Sequence, residues 1–447
     1  MNSSNITATD FFCGAGGSSS GLVAAGIEVV GAANHWKLAI ETHNTNHPAT
    51  IHYLDDLQQA HPSWYPRTTM AWFSPECTNH SLAKGKKRKG IGQLDLWGES
   101  KVDPAEERSR ATMREVVEFS DYHRYEAVIV ENVVDIRHWQ HYDEWLTAML
   151  NMGYDHKVLY LNAQFFGVPQ SRDRFYAVFW KRGNRAPNLE FRPLATCSKH
   201  GEIGAVQVFK KNETPWGRFG ARRQYTYHCP KCGQDVMPEV RPAADIIDWS
   251  LPSEKIGERK NPLKEKTIQR VLAGLKKFGN WPHVADLGHS HAEHSGKVSS
   301  VDSPLSTETT QQRHALVQPF ITSQHLGRDA VREVNREMPC ITTMNNEHQL
   351  VTPPFILGYY NTTIGTPLDQ PLPAILTKQH EALVTPEKVL PECGFRMLEP
   401  HELKRGMSFP DAYIVLGNKR DQVRQVGNAV CCNVAKAIGQ RVMESLQ

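Results

Sequence analysis

The segment Trp72-Phe-Ser-Pro-Glu-Cys-Thr-Asn-His-Ser carries an apolar run into a polar loop, with Pro75 two residues before Cys77. A thiol held there is exposed and positioned, and as a thiolate it is a nucleophile. Taken alone, such a cysteine is more often half-buried and inert. Ala127-Val-Ile-Val-Glu-Asn-Val ends a second apolar strand with Glu131 and Asn132, a carboxyl and an amide at the edge where open α/β sheets bind ligands. Gly167-Val-Pro-Gln-Ser-Arg-Asp-Arg puts Arg172 and Arg174 at alternate positions. On an extended segment these point the same way, so both are expected to face a bound base or phosphate. A surface salt bridge is the ordinary alternative for each.

Just after the cysteine, Lys84-Gly-Lys-Lys-Arg-Lys holds five cations in six positions. Such a run is usually a solvated face. Its place beside the thiol makes Lys84, Lys86, Lys87, Arg88 and Lys89, with Ser81, candidates for phosphate contacts that draw the loop onto DNA.

A second site is written in Asp10-Phe-Phe-Cys-Gly-Ala-Gly-Gly, which follows one strand and precedes a helix-like segment. Phe12, Gly14, Gly16 and Gly17 lie where a glycine loop lets a ligand approach the backbone and a helix N-terminus. The next strand ends in Asn34-His-Trp, where nucleotide-binding folds often place a carboxylate for ribose hydroxyls; here His35 stands instead. Trp36 could stack on an adenine, or simply pack in the core. In Leu54-Asp-Asp-Leu, Asp56 could accept from an adenine amino group beside Leu57, or cap a helix.

A third constellation is metal-like. Cys197-Ser-Lys-His-Gly and Cys229-Pro-Lys-Cys-Gly share one spacing, and Cys197, His200, Cys229 and Cys232 are the right number and type for a closed structural zinc site, with His228 as the substitute for His200. Neighbouring Arg218, Arg222 and Arg223 suit a DNA contact.

The elements that must position these groups are legible in outline. Strand candidates are 7–12, 28–33, 70–73, 127–130 and 175–179, alternating with amphipathic stretches as in a mostly parallel sheet. From Lys181 to about Leu390 the composition shifts to Pro, Gly, Thr and His, which reads as a second domain of loops and short strands, apart from a helix-like segment at 264–278. Inside it, Asp302-Ser-Pro-Leu, Arg336-Glu-Met-Pro and Asp369-Gln-Pro-Leu-Pro each open a unit that closes on His314-Ala-Leu-Val, His348-Gln-Leu-Val or Glu381-Ala-Leu-Val. The expectation is three strand-turn-strand repeats over 300–386. Their polar tips, Thr309, Thr310, Thr343, Asn345, Thr377 and Lys378, are candidates for reading bases. Helical periodicity returns at 400–405 and 428–444, and this tail is expected to pack against the first domain.

Glycine loop, proline-flanked cysteine, Glu-Asn-Val and Gln-x-Arg-x-Arg together resemble the cytosine-5 DNA methyltransferase family, in that family's order. Phe395-Arg-Met-Leu-Glu-Pro-His-Glu and Gln425-Val-Gly-Asn-Ala-Val resemble its last two motifs. The resemblance implies an α/β fold: a doubly wound, mostly parallel S-adenosylmethionine-dependent methyltransferase sheet formed by 1–185 plus 390–447. It further implies a mixed target-recognition domain over 186–389, within which the Cys/His spacing reads as a zinc-ribbon-like insert at 195–240. Asn428 and Ala429 would join the S-adenosylmethionine site. In the implied mechanism the Cys77 thiolate adds to carbon 6 of a cytosine rotated out of the helix. Glu131 neutralises charge at ring nitrogen 3, Arg174 contacts the base oxygen, and Asn132 holds the loop or base edge. Carbon 5 then takes the methyl group, and loss of its proton to water frees the thiol.

The chain departs from the family where Glu76, Thr78 and His80 surround the nucleophile and where His35 replaces the ribose-binding acid. A carboxylate beside the thiol raises its pKa unless paired, so Glu76 is expected to meet a cation. An anionic, modified donor would suit His35, although the ordinary donor is favoured. Two other readings are a tRNA cytosine-5 methyltransferase and a non-catalytic, zinc-bearing DNA-binding protein with a decayed methyltransferase domain.

Bulk properties exclude less. A formal charge of +3 is too mild to argue for a polyanionic partner, so that case rests on local clusters. No apolar run is long enough for a membrane span, and no secretory leader is seen, so a reducing cytoplasmic setting is expected. The nine cysteines, odd in number and irregular in spacing, do not form a disulfide framework. The expected partner is double-stranded DNA, with a restriction nuclease as a possible companion and the protein itself a monomer.

Overall fold

The computed structural model describes residues 5–75, 104–211, 213, 215–220, 223–278, 283–286, 298–307, 314–318, 320–323, 331–333, 348–350, 355–358, 366–367, 381–384 and 390–447. Cys77, Glu76, Ser81, the basic run Lys84, Lys86, Lys87, Arg88 and Lys89, Arg222 and the six repeat-tip residues lie outside these. By their contacts the residues form two units, one of Met1–Arg241, Ser306–Gln311 and Leu403–Gln447, the other of Pro242–Leu305 and Gln312–Glu402.

The first unit is built on β1 (Thr7–Phe11), α1 (Gly17–Ala24), β2 (Glu28–Ala33), α2 (Lys37–Asn46), β3 (Ile51–Tyr53), β4 (Met70–Phe73), α3 (Pro104–His123), β5 (Ala127–Asn132), α4 (Tyr142–Asn151), β6 (Tyr154–Asn162), β7 (Gln170–Ser171) and β8 (Asp173–Lys181). Seven strands make one mixed sheet in the order β3-β2-β1-β4-β5-β8-β6. The first five run parallel, and β8 is antiparallel to both β5 and β6. Every residue of β4 and β5 is buried, because helices cover both faces and a strand so covered must be apolar throughout. One face holds Phe11 stacked on Phe73 at 4.6 Å, with Phe119 of α3 edge-on to Phe11 at 4.9 Å and Trp145 of α4 in the same core. On the other face α1 meets the C-terminal helix Cys432–Leu446. Gly21 allows the close approach: a Cβ there would lie 2.5 Å from Ala435 Cβ and from Cys432 O.

The chain winds outward from β1 through β2 to β3, then returns to place β4 on β1's other side. The resulting crevice between the C-terminal ends of β1 and β4 is where such sheets bind ligands. The register Phe11↔Phe73↔Val130 brings Phe12, Ser74 and Glu131 out at one edge.

The contact-based division differs from the domain boundaries expected above. Residues 195–240 belong to the first unit, and 390–402 to the second. The insert consists of two hairpins, β9 (Leu194–Cys197) with β10 (Gly201–Gly204) and β11 (Val206–Phe209) with β12 (Tyr225–His228). Its Ala195, Ile203, Tyr225 and Tyr227 share one apolar core with the seven-stranded sheet. An insert this short cannot bury enough surface alone, so it borrows its core from the sheet.

The second unit has a five-stranded sheet that includes His283–Asp286, His314–Gln318 and Gly394–Met397. The helix Glu265–Phe278 packs on it through Val271 and Leu275. The repeat segments form two further three-stranded antiparallel sheets, each centred on a Phe-Ile strand. Phe320–Ser323 pairs with His348–Leu350, and Phe355–Gly358 pairs with Glu381–Val384.

Candidate active site

The glycine loop begins with strain. Phe12 sits at φ 58, a left-handed conformation unusual for a large side chain, and Gly16 at φ 87 closes the turn through its N–H to Cys13 O at 2.9 Å. Beneath it Asp10 is fully buried, with both the Ser18 and Ser19 hydroxyls donating to Oδ2 at 2.6 Å. Burial raises its carboxyl from 3.8 to about 6, against the pull of the two serines. Ser19 Oγ also meets His43 Nε2, and His43 Nδ1 meets His52 Nε2, both at 2.8 Å. Burial holds the His43 pKa well below its usual value, so the loop rests on a neutral imidazole.

The loop is closed from behind and open in front. A Cβ on Gly17 would lie 2.1 Å from Val430 O, whereas one on Gly14 would meet nothing within 4 Å. Asn428 ends the helix Lys419–Asn428 and Ala429 follows it as the C-cap, so both adjoin the wall that Gly17 touches. His35 is exposed. Trp36 is half-buried, with the Arg424 guanidinium 4.4 Å from its ring centre. Leu57 is buried, and Asp56 is exposed, its Oδ1 accepting from Gln58 N at 3.2 Å. Open space before Gly14 and backbone closure behind Gly17 fit the donor expected of this fold.

At the reacting edge the two arginines part company. Arg174 Nε lies 3.0 Å from Glu131 Oε1, and both groups are mostly buried. Arg172 does not join them. It falls in the break between β7 and β8, so strict alternation fails there, and its buried guanidinium donates to Gly427 O and Ala429 O at 3.3 and 3.2 Å. It therefore caps the C-terminus of the helix Lys419–Asn428, where cations are favoured. The expectation that the two arginines point the same way is corrected: Arg174 meets Glu131 and Arg172 turns to the helix end. Asn132 is buried, with Oδ1 accepting from Val133 N at 2.8 Å and Nδ2 lying 3.5 Å from Pro75 O.

Cys197, His200, Cys229 and Cys232 converge, their ligand atoms all within 4.8 Å of one another. The edges Cys197 Sγ–Cys232 Sγ and Cys197 Sγ–His200 Nδ1 measure 3.7 Å, and Cys229 Sγ–His200 Nδ1 measures 3.5 Å. A tetrahedral zinc with ordinary bond lengths gives S···S edges of about 3.8 Å and S···N edges of about 3.6 Å. The knuckles match in shape, since Gly201 and Gly233, each following a second ligand, take φ 66 and 72. The Lys199 amide aimed at Cys197 Sγ holds that thiol below its usual value. His228 lies apart from the cluster, with Nε2 3.0 Å from Thr226 Oγ1. The described cysteines form no disulfide.

Four residues with work in the site were not singled out from sequence. Ser18 and Ser19 support the loop, Asp135 pairs with Arg218 at 2.6 Å, and Asp173 receives the Phe219 amide at 3.0 Å. Only Asp173 had a sequence signal, its place between the two arginines. Arg218, expected to touch DNA, is committed to Asp135.

A switch-point sheet with a glycine loop on β1 and a Glu–Arg pair at the ends of β5 and β8 is the arrangement expected of the methyltransferase fold class, for which S-adenosylmethionine is the expected donor. The chain belongs to the C-5 cytosine-specific DNA methylase family, whose model matches residues 6–444. Over 97% of its length it is 23% identical to DNA (cytosine-5)-methyltransferase 1 of Gallus gallus, spanning 29% of that protein. Over 40% of its length it is 29% identical to Type II methyltransferase M.HgiDI of Herpetosiphon aurantiacus, spanning 53% of it. The chain thus spans less than two thirds of either relative. In fold it is similar to Entamoeba histolytica methyltransferase EhMeth, with TM-score 0.51 and 11% identity over 99% of both chains. It is also similar to S. pombe Dnmt2, with TM-score 0.50 and 16% identity over 99% of this chain and 98% of that one. Among the described residues no helix is long and apolar enough to cross a membrane.

Proposed function

We propose that this chain is a DNA (cytosine-5)-methyltransferase acting on a flipped cytosine through a covalent Cys77 adduct. The observation that carries the reading is the Glu131–Arg174 pair at 3.0 Å, with Glu131 on the strand next to the one that leads to Pro75. Bound S-adenosylmethionine supplies the methyl group. Glu131 offers a proton to ring nitrogen 3, and Arg174, fixing that carboxyl, offers its remaining N–H groups to the base oxygen. Asn132 tethers Pro75 and so sets where the thiol-bearing loop starts. The basic run after Cys77 and the repeat region of the second unit are assigned to grip and read the duplex. Zinc is assigned to Cys197, His200, Cys229 and Cys232 as a structural ion, on the strength of the tetrahedral edge lengths.

The test uses DNA carrying 5-fluorocytosine together with the methyl donor. The fluorine cannot leave as a proton does, so a stable protein–DNA adduct forms if Cys77 adds to the ring, and it disappears in Cys77→Ala. An adduct that persists in that variant overturns the mechanism. An adduct formed with 5-fluorocytosine-substituted tRNA but not with DNA moves the substrate to RNA.

A further inference from the structure

The loop between β11 and β12, which carries none of the metal ligands, reaches from the Cys/His insert to both sides of the reacting edge. Arg218 Nη2 donates to Asp135 Oδ2 at 2.6 Å, four residues beyond Glu131. Trp216 stands edge-on to His138 at 4.7 Å on the same turn, Val134–His138. On the other side the Phe219 amide donates to Asp173 Oδ1 at 3.0 Å, and the Phe219 ring packs edge-on to Phe165 at 4.7 Å. Asp173 is the residue between the arginines, and its own carbonyl accepts from Arg174 Nη1 at 2.9 Å. A continuous path therefore runs from the Phe219 N–H through Asp173 to the guanidinium that meets Glu131.

The loop is held at its far end by the metal-like cluster. Tyr225 N donates to Arg218 O at 3.3 Å, β12 begins at Tyr225, and Cys229 follows its last residue. Four extended residues, about 13 Å, separate the loop from the ion-binding knuckle. We propose that the insert is a clasp for the reaction centre, in which Arg218 and Phe219 act as positioning residues that set the Glu131–Arg174 geometry and metal occupancy sets how firmly they do so. The proposal rests on reading Glu131 and Arg174 as the groups that hold the target base.

This assignment explains why the insert turns aromatic side chains toward the elements beside the reacting edge as well as onto one another. Phe165 is gripped by both Phe219 and Tyr227, and Gln207 donates to Tyr160 O at 2.7 Å. It also explains why Arg218 is spent on a mostly buried carboxylate instead of on solvent or nucleic acid.

The experiment uses the full chain as wild type, Arg218→Ala, Arg218→Lys and Cys232→Ser, with zinc added or removed by chelator. Hydrogen exchange is followed in peptides covering 131–138 and 170–176, with β1 and β2 as the internal reference. Faster exchange in those two peptides alone, on loss of zinc or in Arg218→Ala, is expected. Unchanged exchange there overturns the clasp. In methyl transfer, Arg218→Ala is expected to lower kcat about tenfold or more, because small misplacements at a reacting centre are costly, while leaving KM for DNA within about twofold. Arg218→Lys should recover most of kcat by keeping a cation on Asp135. A raised KM with unchanged kcat would make Arg218 a DNA contact and overturn the proposal. If the wild type transfers no methyl group to cytosine, the functional reading fails, and the exchange measurement still decides the clasp.

Discussion

Replacing Asp10 by asparagine isolates the electrostatic cost of the donor loop. Asp10 is fully buried, two serine hydroxyls donate to Oδ2, and Oδ1 has no hydrogen-bond partner among the described residues. Burial outweighs the serines and raises the carboxyl from 3.8 to about 6. Since the folded value is the higher one, its contribution to stability is fully present below pH 3.8 and is lost as pH rises through about 6. Linkage gives a loss of about 2 kcal/mol at pH 5 and about 3 kcal/mol at pH 7.5, with little further change above. Asparagine keeps an oxygen to accept from Ser18 and Ser19 but never ionises. Whatever constant offset the amide introduces, stability of Asp10→Asn relative to wild type should therefore rise by about 1 kcal/mol from pH 5 to pH 7.5. Urea denaturation of both proteins across that range measures it, and taking the difference cancels every other titrating group. A difference that does not move with pH would show that Asp10 ionises as freely in the folded protein as in the unfolded chain.

Arg172→Ala should lower stability by about 2–3 kcal/mol, since two buried carbonyls lose a charged donor, while Arg174→Ala should cost turnover with far less stability. Urea denaturation beside steady-state kinetics separates the two, and equal stability losses would contradict the division of labour drawn from the structure. Gly17→Ala drives a methyl group onto Val430 O, 2.1 Å away, and should push the 428–430 segment off the glycine loop. Calorimetric titration with S-adenosylmethionine should then show affinity reduced about tenfold or more, and wild-type affinity would mean that this contact does not shape the site.

Much of the catalytic sheet was legible because its signals are local. The buried strands β2 and β4 announce themselves as apolar runs within their own residues, the glycine turn follows from Gly14, Gly16 and Gly17, and the two knuckles follow from identical spacing. The strand β6 was missed because it lies at the sheet's edge, and its first half carries Asp155, His156 and Lys157 where a central strand would carry valines. The helix Lys419–Asn428 was missed because its residues are mostly polar. Its marker was the cap, Asn418 Oδ1 accepting from Asp421 N at 3.1 Å. What no local pattern contains is the choice of partner. Arg172 and Arg174 look equivalent in sequence, yet one caps a helix more than 250 residues downstream and the other meets Glu131, because the strand breaks between them. His200 and His228 flank the same thiols, and only the fold brings His200 to them. The insert reads as a separate module, yet it shares the catalytic core, because surface that a short segment cannot bury by itself must be buried against something else.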